Sequence, residues 1–114
     1  MKTSPPISID RLGSLIGSDD RKHIQEVAGL FVKSARKMVR DITAFIDRGH
    51  FDAACVAAHG LKGAASNVGA DHLAFACLDL ERSLRLPSLD DKVMQYLYIV
   101  EVLFREVEHF SNRL

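Results

Sequence analysis

Apolar residues recur along this chain at intervals of three and four positions, which is the spacing of one face of an α-helix. No stretch alternates apolar and polar residues for long enough to favour a β-strand over a helix. Turn-forming residues divide the helical pattern into five segments, the first of them short. The sequence therefore predicts an all-α protein.

Glycine, proline and capping residues mark the expected ends of these helices. Pro5 and Pro6 prevent regular pairing, so residues 1–6 are predicted to be a tail before one domain over residues 7–114. The expected stop signals are Gly17, Gly49, Gly69 and Pro87. The expected start signals are Ser18 with Asp19 and Asp20, then Asp52, and then Ser88 followed by Asp91.

The apolar faces of the last four segments predict how these helices pack. The third helix carries a stripe of mostly small residues, which are Ala54, Ala58, Leu61, Ala65 and Val68. In the fourth helix, Phe75 and Leu78 lie opposite the main apolar stripe, so we expect it to bury two faces. Because the connections are short, neighbouring helices should run antiparallel. We expect an up-down four-helix bundle, with the short first helix lying against it.

Composition and charge narrow the class of protein. Apolar residues make up 47% of the chain, and 15 basic side chains balance 15 acidic ones. A protein that binds nucleic acid through its phosphates would be basic, so that class is disfavoured. The chain has no apolar run long enough to span a membrane and no signal peptide. We therefore expect a cytoplasmic protein, and a monomer because the bundle uses each amphipathic face.

The third helix contains glycines in its interior, where glycine is unfavourable. Gly60 and Gly63 lie inside it, where each costs roughly 1 kcal/mol relative to alanine. They flank His59 and Lys62. On a helical wheel, with the small-residue stripe taken as zero, His59 falls at about 140° and Gly63 at about 180°. The imidazole is therefore predicted to face solvent, with bare backbone beside it.

An exposed histidine with a lysine one turn away and glycines beside it is suited to bind an anionic group at the imidazole. A neutral imidazole nitrogen is a good nucleophile near neutral pH, and the ammonium of Lys62 could neutralise a transferring phosphoryl group. The alternatives are an ordinary solvated histidine and glycines that allow close helix packing. The orientation of Gly63, away from the core stripe, argues against the packing explanation at that position.

The segment from Ala57 to Glu81 closely resembles the motif of histidine-containing phosphotransfer (HPt) domains. That pattern has a histidine, then Leu-Lys-Gly from its second following position, then small residues and a glycine ten positions on. The corresponding residues here are His59, Leu61, Lys62, Gly63, Ala64, Ala65 and Gly69. Members of the family also tend to carry Glu or Gln 22 positions after the histidine, where this chain has Glu81. Gly60 departs from the family, in which many members have Ser or Thr.

The resemblance implies a phosphorelay carrier rather than an enzyme with its own ATP site. His59 would accept a phosphoryl group from the aspartyl phosphate of a response-regulator receiver domain and pass it to another receiver. Glu81 would hold Nδ1 of His59 and orient the ring, while Lys62 would pair with the phosphoryl oxygens. Gly69 would be structural. Receiver domains and a hybrid sensor kinase are the expected partners, and the receiver would supply Mg²⁺, so this chain needs no metal or cofactor of its own.

Four further residues of the third helix are candidate contacts for the receiver, namely Val56, Gly60, Gly63 and Ser66. Val56 has an alternative interpretation, burial against a neighbouring helix. Met1 and the lack of an upstream linker favour a free protein, and a domain excised from a hybrid kinase is the alternative. The alternative function is a helical adaptor that binds receiver domains without turning over phosphate.

Other chemistry is less well supported by the sequence. Cys55 and His59 have the spacing of a metal-binding pair, but His72 and Cys77 are not placed to complete a zinc site. Cys55 activated by His59 as a nucleophile is a weaker candidate still. A basic stripe on the second helix is predicted to be a solvated face, with an anionic partner as the alternative, and consists of Lys33, Arg36, Lys37 and Arg40. The remaining histidines are expected at the surface or at helix ends, and are His23, His50, His72 and His109.

Overall fold

A computed structural model describes residues 4–86 and 92–114, and within these residues the chain forms five helices and no strand. The helices are α1 (Ile9–Ile16), α2 (Arg21–Asp47), α3 (Phe51–Asn67), α4 (Asp71–Arg85) and α5 (Val93–Asn112). The all-α prediction is confirmed. None of the helices in the described ranges has the length and hydropathy that a bilayer crossing requires.

Most of the predicted helix ends are confirmed. Gly17, Gly49 and Gly69 all adopt positive φ angles just after a helix, of 68°, 74° and 76°. The side chain of Asp20 caps α2 by accepting a hydrogen bond from the backbone N–H of Lys22. The signals at Pro87, Ser88 and Asp91 lie outside the described residues.

The predicted start of α3 is wrong by two residues. The N-cap position is His50, whose side chain makes no capping bond, and Asp52 lies within the first turn. The backbone N–H of His50 donates instead to the carbonyl of Phe45 at 2.8 Å. The turn between α2 and α3 is thus closed by backbone groups, so α3 begins before a capping side chain is available. Asp52 still carries a negative charge in the first turn, which is favourable at a helix N-terminus.

The helices α2 to α5 enclose one hydrophobic core. α3 packs against α2 and α4, and α5 packs against the same two helices. Ala54, Ala58 and Ala65 of α3 are fully buried, so their small side chains allow close approach of the neighbouring helices. The expectation that α4 buries its second face is wrong for Phe75, whose side chain is 66% exposed.

The N-terminal segment is fastened to the junction between α3 and α4. The backbone N–H of Ser8 donates to the carbonyl of Gly69 at 3.0 Å, and Ser8 also caps α1. Arg11 of α1 pairs with Asp71 at 2.6 Å and donates to the carbonyl of Ser66 at 2.7 Å. These contacts hold α1 against the end of α3.

Candidate functional site

His59 lies on the solvent-facing side of α3, as the wheel predicted, with 65% of its side chain exposed. Its Nδ1 atom lies 3.1 Å and 3.2 Å from the two carboxylate oxygens of Glu81 on α4. Among the described residues, none makes a hydrogen bond to Nε2. A carboxylate can only accept a hydrogen bond, so this geometry favours the tautomer with the proton on Nδ1 and a free lone pair on Nε2.

Glu81 is the centre of a small polar cluster. Its side chain is only 4% exposed, yet it contacts three basic groups. Besides His59, these are Lys62, whose Nζ lies 3.4 Å from Oε1, and Arg85, whose Nη2 lies 2.7 Å from Oε2. Burial would raise the pKa of Glu81, but the hydrogen bonds with His59 and Lys62 and their charges outweigh it and lower that pKa. Glu81 is therefore ionised at neutral pH.

Arg85 is the member of this cluster that the sequence interpretation missed. It lies one helical turn after Glu81 on α4, and its side chain is 65% exposed. A Glu followed four positions later by Arg is a common stabilising pair on a helix, and that spacing was the available signal. The signal is not specific to a site, because such pairs are frequent on solvated faces. The hydrogen-bonded contact of Arg85 with a buried carboxylate is visible only in three dimensions.

The two glycines beside His59 have different surroundings. A Cβ atom on Gly63 would meet nothing within 4 Å. A Cβ atom on Gly60 would lie 3.2 Å from Cε of Met38 on α2. Gly60 thus has a packing reason within the chain, although a methionine end group can shift. Gly63 has none, and the space beside it is open.

Two other predicted contact residues also lie on the surface of α3. Val56 is 74% exposed, which excludes the alternative that it is buried against a neighbouring helix. Ser66 is exposed, and its carbonyl accepts a hydrogen bond from Arg11. The structure thus brings His59, Lys62 and Glu81 together and leaves Val56 and Ser66 on the surface of the same helix, each without a described contact to this cluster.

The two cysteines lie in different surroundings, Cys55 partly buried and Cys77 fully buried. The Cys55 thiol donates to the carbonyl of Glu81 at 3.6 Å, and burial raises the pKa of Cys77 to about 12. At neutral pH, Cys77 therefore does not form the thiolate that metals and electrophiles require. Within residues 4–86 and 92–114, no three His, Cys, Asp or Glu side chains are grouped to hold a metal ion.

The basic stripe and the remaining histidines lie where the sequence predicted. Lys33, Lys37 and Arg40 are exposed, and Lys37 pairs with Asp41 at 2.9 Å. Arg36 is half-buried and pairs with Glu108 of α5, so one member of the stripe links two helices. All four remaining histidines are exposed, at positions 23, 50, 72 and 109.

Comparison with known proteins identifies the family. The sequence model of the Hpt domain matches residues 26–109, which is well over half of the chain. The chain belongs to the Hpt domain family. This match confirms the resemblance found in the sequence. Hpt domains are phosphocarriers of two-component phosphorelays and are not ATP-binding kinases.

A solved structure supports this assignment. The chain is similar to histidine-containing phosphotransfer protein B (HptB) from Pseudomonas aeruginosa PAO1, with 26% sequence identity and a TM-score of 0.84. The alignment covers 97% of this chain and 95% of that protein. The Hpt fold therefore extends over nearly the whole chain, beyond the part that the family model matches. Comparison with curated protein sequences gave no match.

Proposed function

We propose that this Hpt protein carries a phosphoryl group on Nε2 of His59, taken from the aspartyl phosphate of one receiver domain and given to the aspartate of another. The observation that carries the proposal is the contact of an exposed imidazole with a buried carboxylate. Glu81 engages Nδ1 of His59 and leaves Nε2 open to solvent. Orientation by an outer carboxylate raises the basicity of the far imidazole nitrogen.

The transfer step follows from this geometry. The lone pair of Nε2 forms a bond to phosphorus while the bond between phosphorus and the aspartate oxygen breaks. The electron pair of the broken bond stays with the aspartate, which becomes a carboxylate again. No proton has to leave Nε2, because the proton of the ring is on Nδ1. The positive charge that develops on the phosphorylated ring is stabilised by the ionised Glu81.

Lys62 and Arg85 have different parts in this proposal. Lys62 has a flexible side chain and a long contact to Glu81, at 3.4 Å, so it can turn toward the phosphoryl oxygens. Arg85 holds the other oxygen of Glu81 at 2.7 Å. When Lys62 moves, Arg85 therefore keeps the carboxylate in place beneath the imidazole. Lys62 is the group that pairs with phosphate, and Arg85 is a positioning residue.

The receiver would dock on the open face of α3. Gly63 leaves space for close approach of its backbone, and Val56 offers an exposed apolar contact. Gly60 and Ser66 extend this surface on either side. The receiver would supply Mg²⁺ with its acidic pocket. We further propose that α2 to α5 form an antiparallel up-down bundle with α1 against it, and that the protein acts as a cytoplasmic monomer.

The test is phosphoryl transfer from a phosphorylated receiver domain. The wild-type protein and the His59→Gln variant are mixed with receivers labelled on their aspartate. We expect acid-labile, base-stable label on the wild type and none on the variant, because glutamine has no nucleophilic ring nitrogen. Subsequent chase of the label to a second receiver would demonstrate the relay.

A matched control uses another exposed histidine. His23→Gln changes the same residue type on α2, away from Glu81, and is expected to be labelled like the wild type. If no receiver labels the wild type, while one binds the wild type and the His59→Gln variant equally well, the carrier proposal fails. The chain would then be an adaptor for receiver domains.

A further inference from the structure

A groove of about 760 Å³ lies between the N-terminal segment and α5. Its size is within the range of ligand-binding cavities. No residue of α3 or α4, which carry the phosphotransfer site, contributes to its lining. Its apolar lining residues are Pro6, Ile9, Val102, Phe110 and Leu114. We call this feature the α5 groove.

Basic side chains dominate the polar part of the α5 groove. Three arginines and a histidine line it, against a single acidic side chain, that of Glu106. Arg21, Arg105 and Arg113 are exposed, and none makes an ion pair or a side-chain hydrogen bond with any residue in 4–86 or 92–114. Their charges are therefore available to an anionic partner. This differs from the stripe on α2, where Arg36 and Lys37 are already paired.

The basic residues in the second half of α5 and just after its end form a regular row. Arg105, His109 and Arg113 follow one another at intervals of four, so each step covers about 6 Å along the helix and the row covers about 12 Å. Val102, Glu106 and Phe110, also at intervals of four, form a neighbouring row on the same side of α5 that is apolar at both ends and acidic in the middle. A largely apolar row, interrupted by Glu106, thus runs beside a basic row along the groove.

These two rows restrict the chemistry of the occupant. A nucleic acid would pair with the arginines but would leave the apolar row without a partner. A fatty acid would fill the apolar row but has only one anionic group for several cations. An amphipathic helix presents apolar residues on one face and can repeat acidic residues at intervals of four beside it. Its acidic row matches the basic row of the groove in spacing and charge, and its apolar face matches Val102 and Phe110 of the other row.

We propose that the α5 groove binds an acidic amphipathic helix of a partner protein. The apolar face of that helix packs on Ile9, Val102 and Phe110, and its acidic row pairs with Arg105 and Arg113. Helix-in-groove recognition of this kind uses apolar anchors for affinity and flanking charges for orientation. The site leaves the face around His59 free, so a receiver could occupy α3 at the same time.

The test uses a designed peptide and the full chain. The probe is a fluorescein-labelled synthetic helix of about 18 residues, with leucines along one face and glutamates at intervals of four beside them. Fluorescence anisotropy measures its affinity for the wild type and for the double variant Arg105→Glu/Arg113→Glu. We expect the double variant to bind at least about tenfold more weakly. Shifts of backbone amide resonances should fall on α1, the start of α2 and the second half of α5.

A charge-matched variant and a charge-reversed peptide serve as controls. Lys33→Glu/Arg40→Glu makes the same change in net charge on the exposed stripe of α2 and should alter binding by less than about twofold. A peptide with lysine in place of each glutamate should not bind. Absence of binding by the acidic peptide, equal binding by its lysine counterpart, or equal losses in the two double variants would overturn the proposal. Binding of dodecanoate in the groove without binding of the peptide would assign the groove to a small amphipathic anion instead.

Discussion

The end of α3 and its middle use glycine for opposite reasons. At Gly69 the chain turns with a φ angle of 76°, and a Cβ atom there would lie 2.7 Å from Cβ of Ser8. At Gly63 the backbone is helical, and a Cβ atom would meet nothing within 4 Å. One glycine makes room for another part of the same chain, whereas the other leaves room that the chain does not fill.

This difference separates a requirement of the fold from a candidate requirement of function. Replacing Gly69 would disturb the backbone of the N-terminal segment, so its cost can be explained within the protein. Gly63 lowers helix stability by roughly 1 kcal/mol relative to alanine and gains no internal contact in return. In the proposed function, this glycine makes room for the receiver domain that approaches His59. The predictions below test whether stability and phosphotransfer separate along α3 in this way.

The largest effect on stability is expected for Gly69→Ala. The new methyl group would meet Ser8 at its backbone nitrogen as well as at Cβ, at 3.1 Å and 2.7 Å, and alanine also disfavours a positive φ. We expect the free energy of unfolding to fall by about 2–3 kcal/mol, as measured by chemical denaturation. Gly49→Ala is the control, because it has a φ of 74° and no neighbour within 4 Å. Equal losses in the two variants would show that contact with Ser8 is unimportant.

The largest effect on phosphotransfer after loss of His59 itself is expected for Glu81→Ala. The imidazole would lose its hydrogen-bond partner, so we expect transfer from a phosphorylated receiver to slow by about 10- to 100-fold. Glu81→Gln keeps an oxygen that can accept from Nδ1–H but loses the charge, so it should fall between the alanine variant and the wild type. Rapid-quench measurement of the transfer rate checks both. A glutamine variant as slow as the alanine variant would make charge, rather than ring orientation, the main contribution.

Sequence patterns predicted most of the fold, because helix faces and helix ends depend on local residues. The spacing of apolar residues and the glycines at positions 17, 49 and 69 were sufficient for the first three helices. The start of α3 was mispredicted because the turn that ends α2 leads directly into α3, which begins at Phe51 without a side-chain cap. Phe75 was mispredicted because an apolar residue was assumed to be buried, whereas large apolar side chains are often exposed.

The candidate site was only partly predictable, because some of its contacts depend on how the helices pack and not on local residues. His59 and Lys62 could be named from their spacing within one helix, and Glu81 from the family resemblance. The fourth member of the cluster, Arg85, could not, because its role depends on the depth at which Glu81 is buried. The helical wheel already argued against a packing role for Gly63, but the packing contact of Gly60 depends on the position of Met38 on another helix, which the sequence does not show.

A smaller effect, with opposite signs on stability and function, is expected for Gly63→Ala. Alanine in a helix interior should raise the free energy of unfolding by about 0.5–1 kcal/mol, since nothing within 4 Å resists the new methyl group. The same methyl group should slow phosphotransfer if a receiver approaches the backbone there. Gly29→Ala on α2 is a matched control, because it is also helical, exposed and without neighbours. It should give the same stabilisation with an unchanged transfer rate, and equal transfer rates in both variants would remove the functional explanation for Gly63.

The smallest effect on stability is expected for Arg11→Ala, which removes the contacts of α1 with Asp71 and with the carbonyl of Ser66 near the end of α3. Its pair with Asp71 is about half exposed, so solvent and salt weaken it, although the guanidinium also satisfies the carbonyl of Ser66. We expect a loss of about 0.5 kcal/mol of unfolding free energy, decreasing further in high salt. Lys37→Ala, which removes an exposed pair within α2, should cost less because no backbone carbonyl loses a partner. A loss for Arg11→Ala as large as that for Gly69→Ala would mean that the ion pair, and not the close contact between Ser8 and Gly69, holds the N-terminal segment in place.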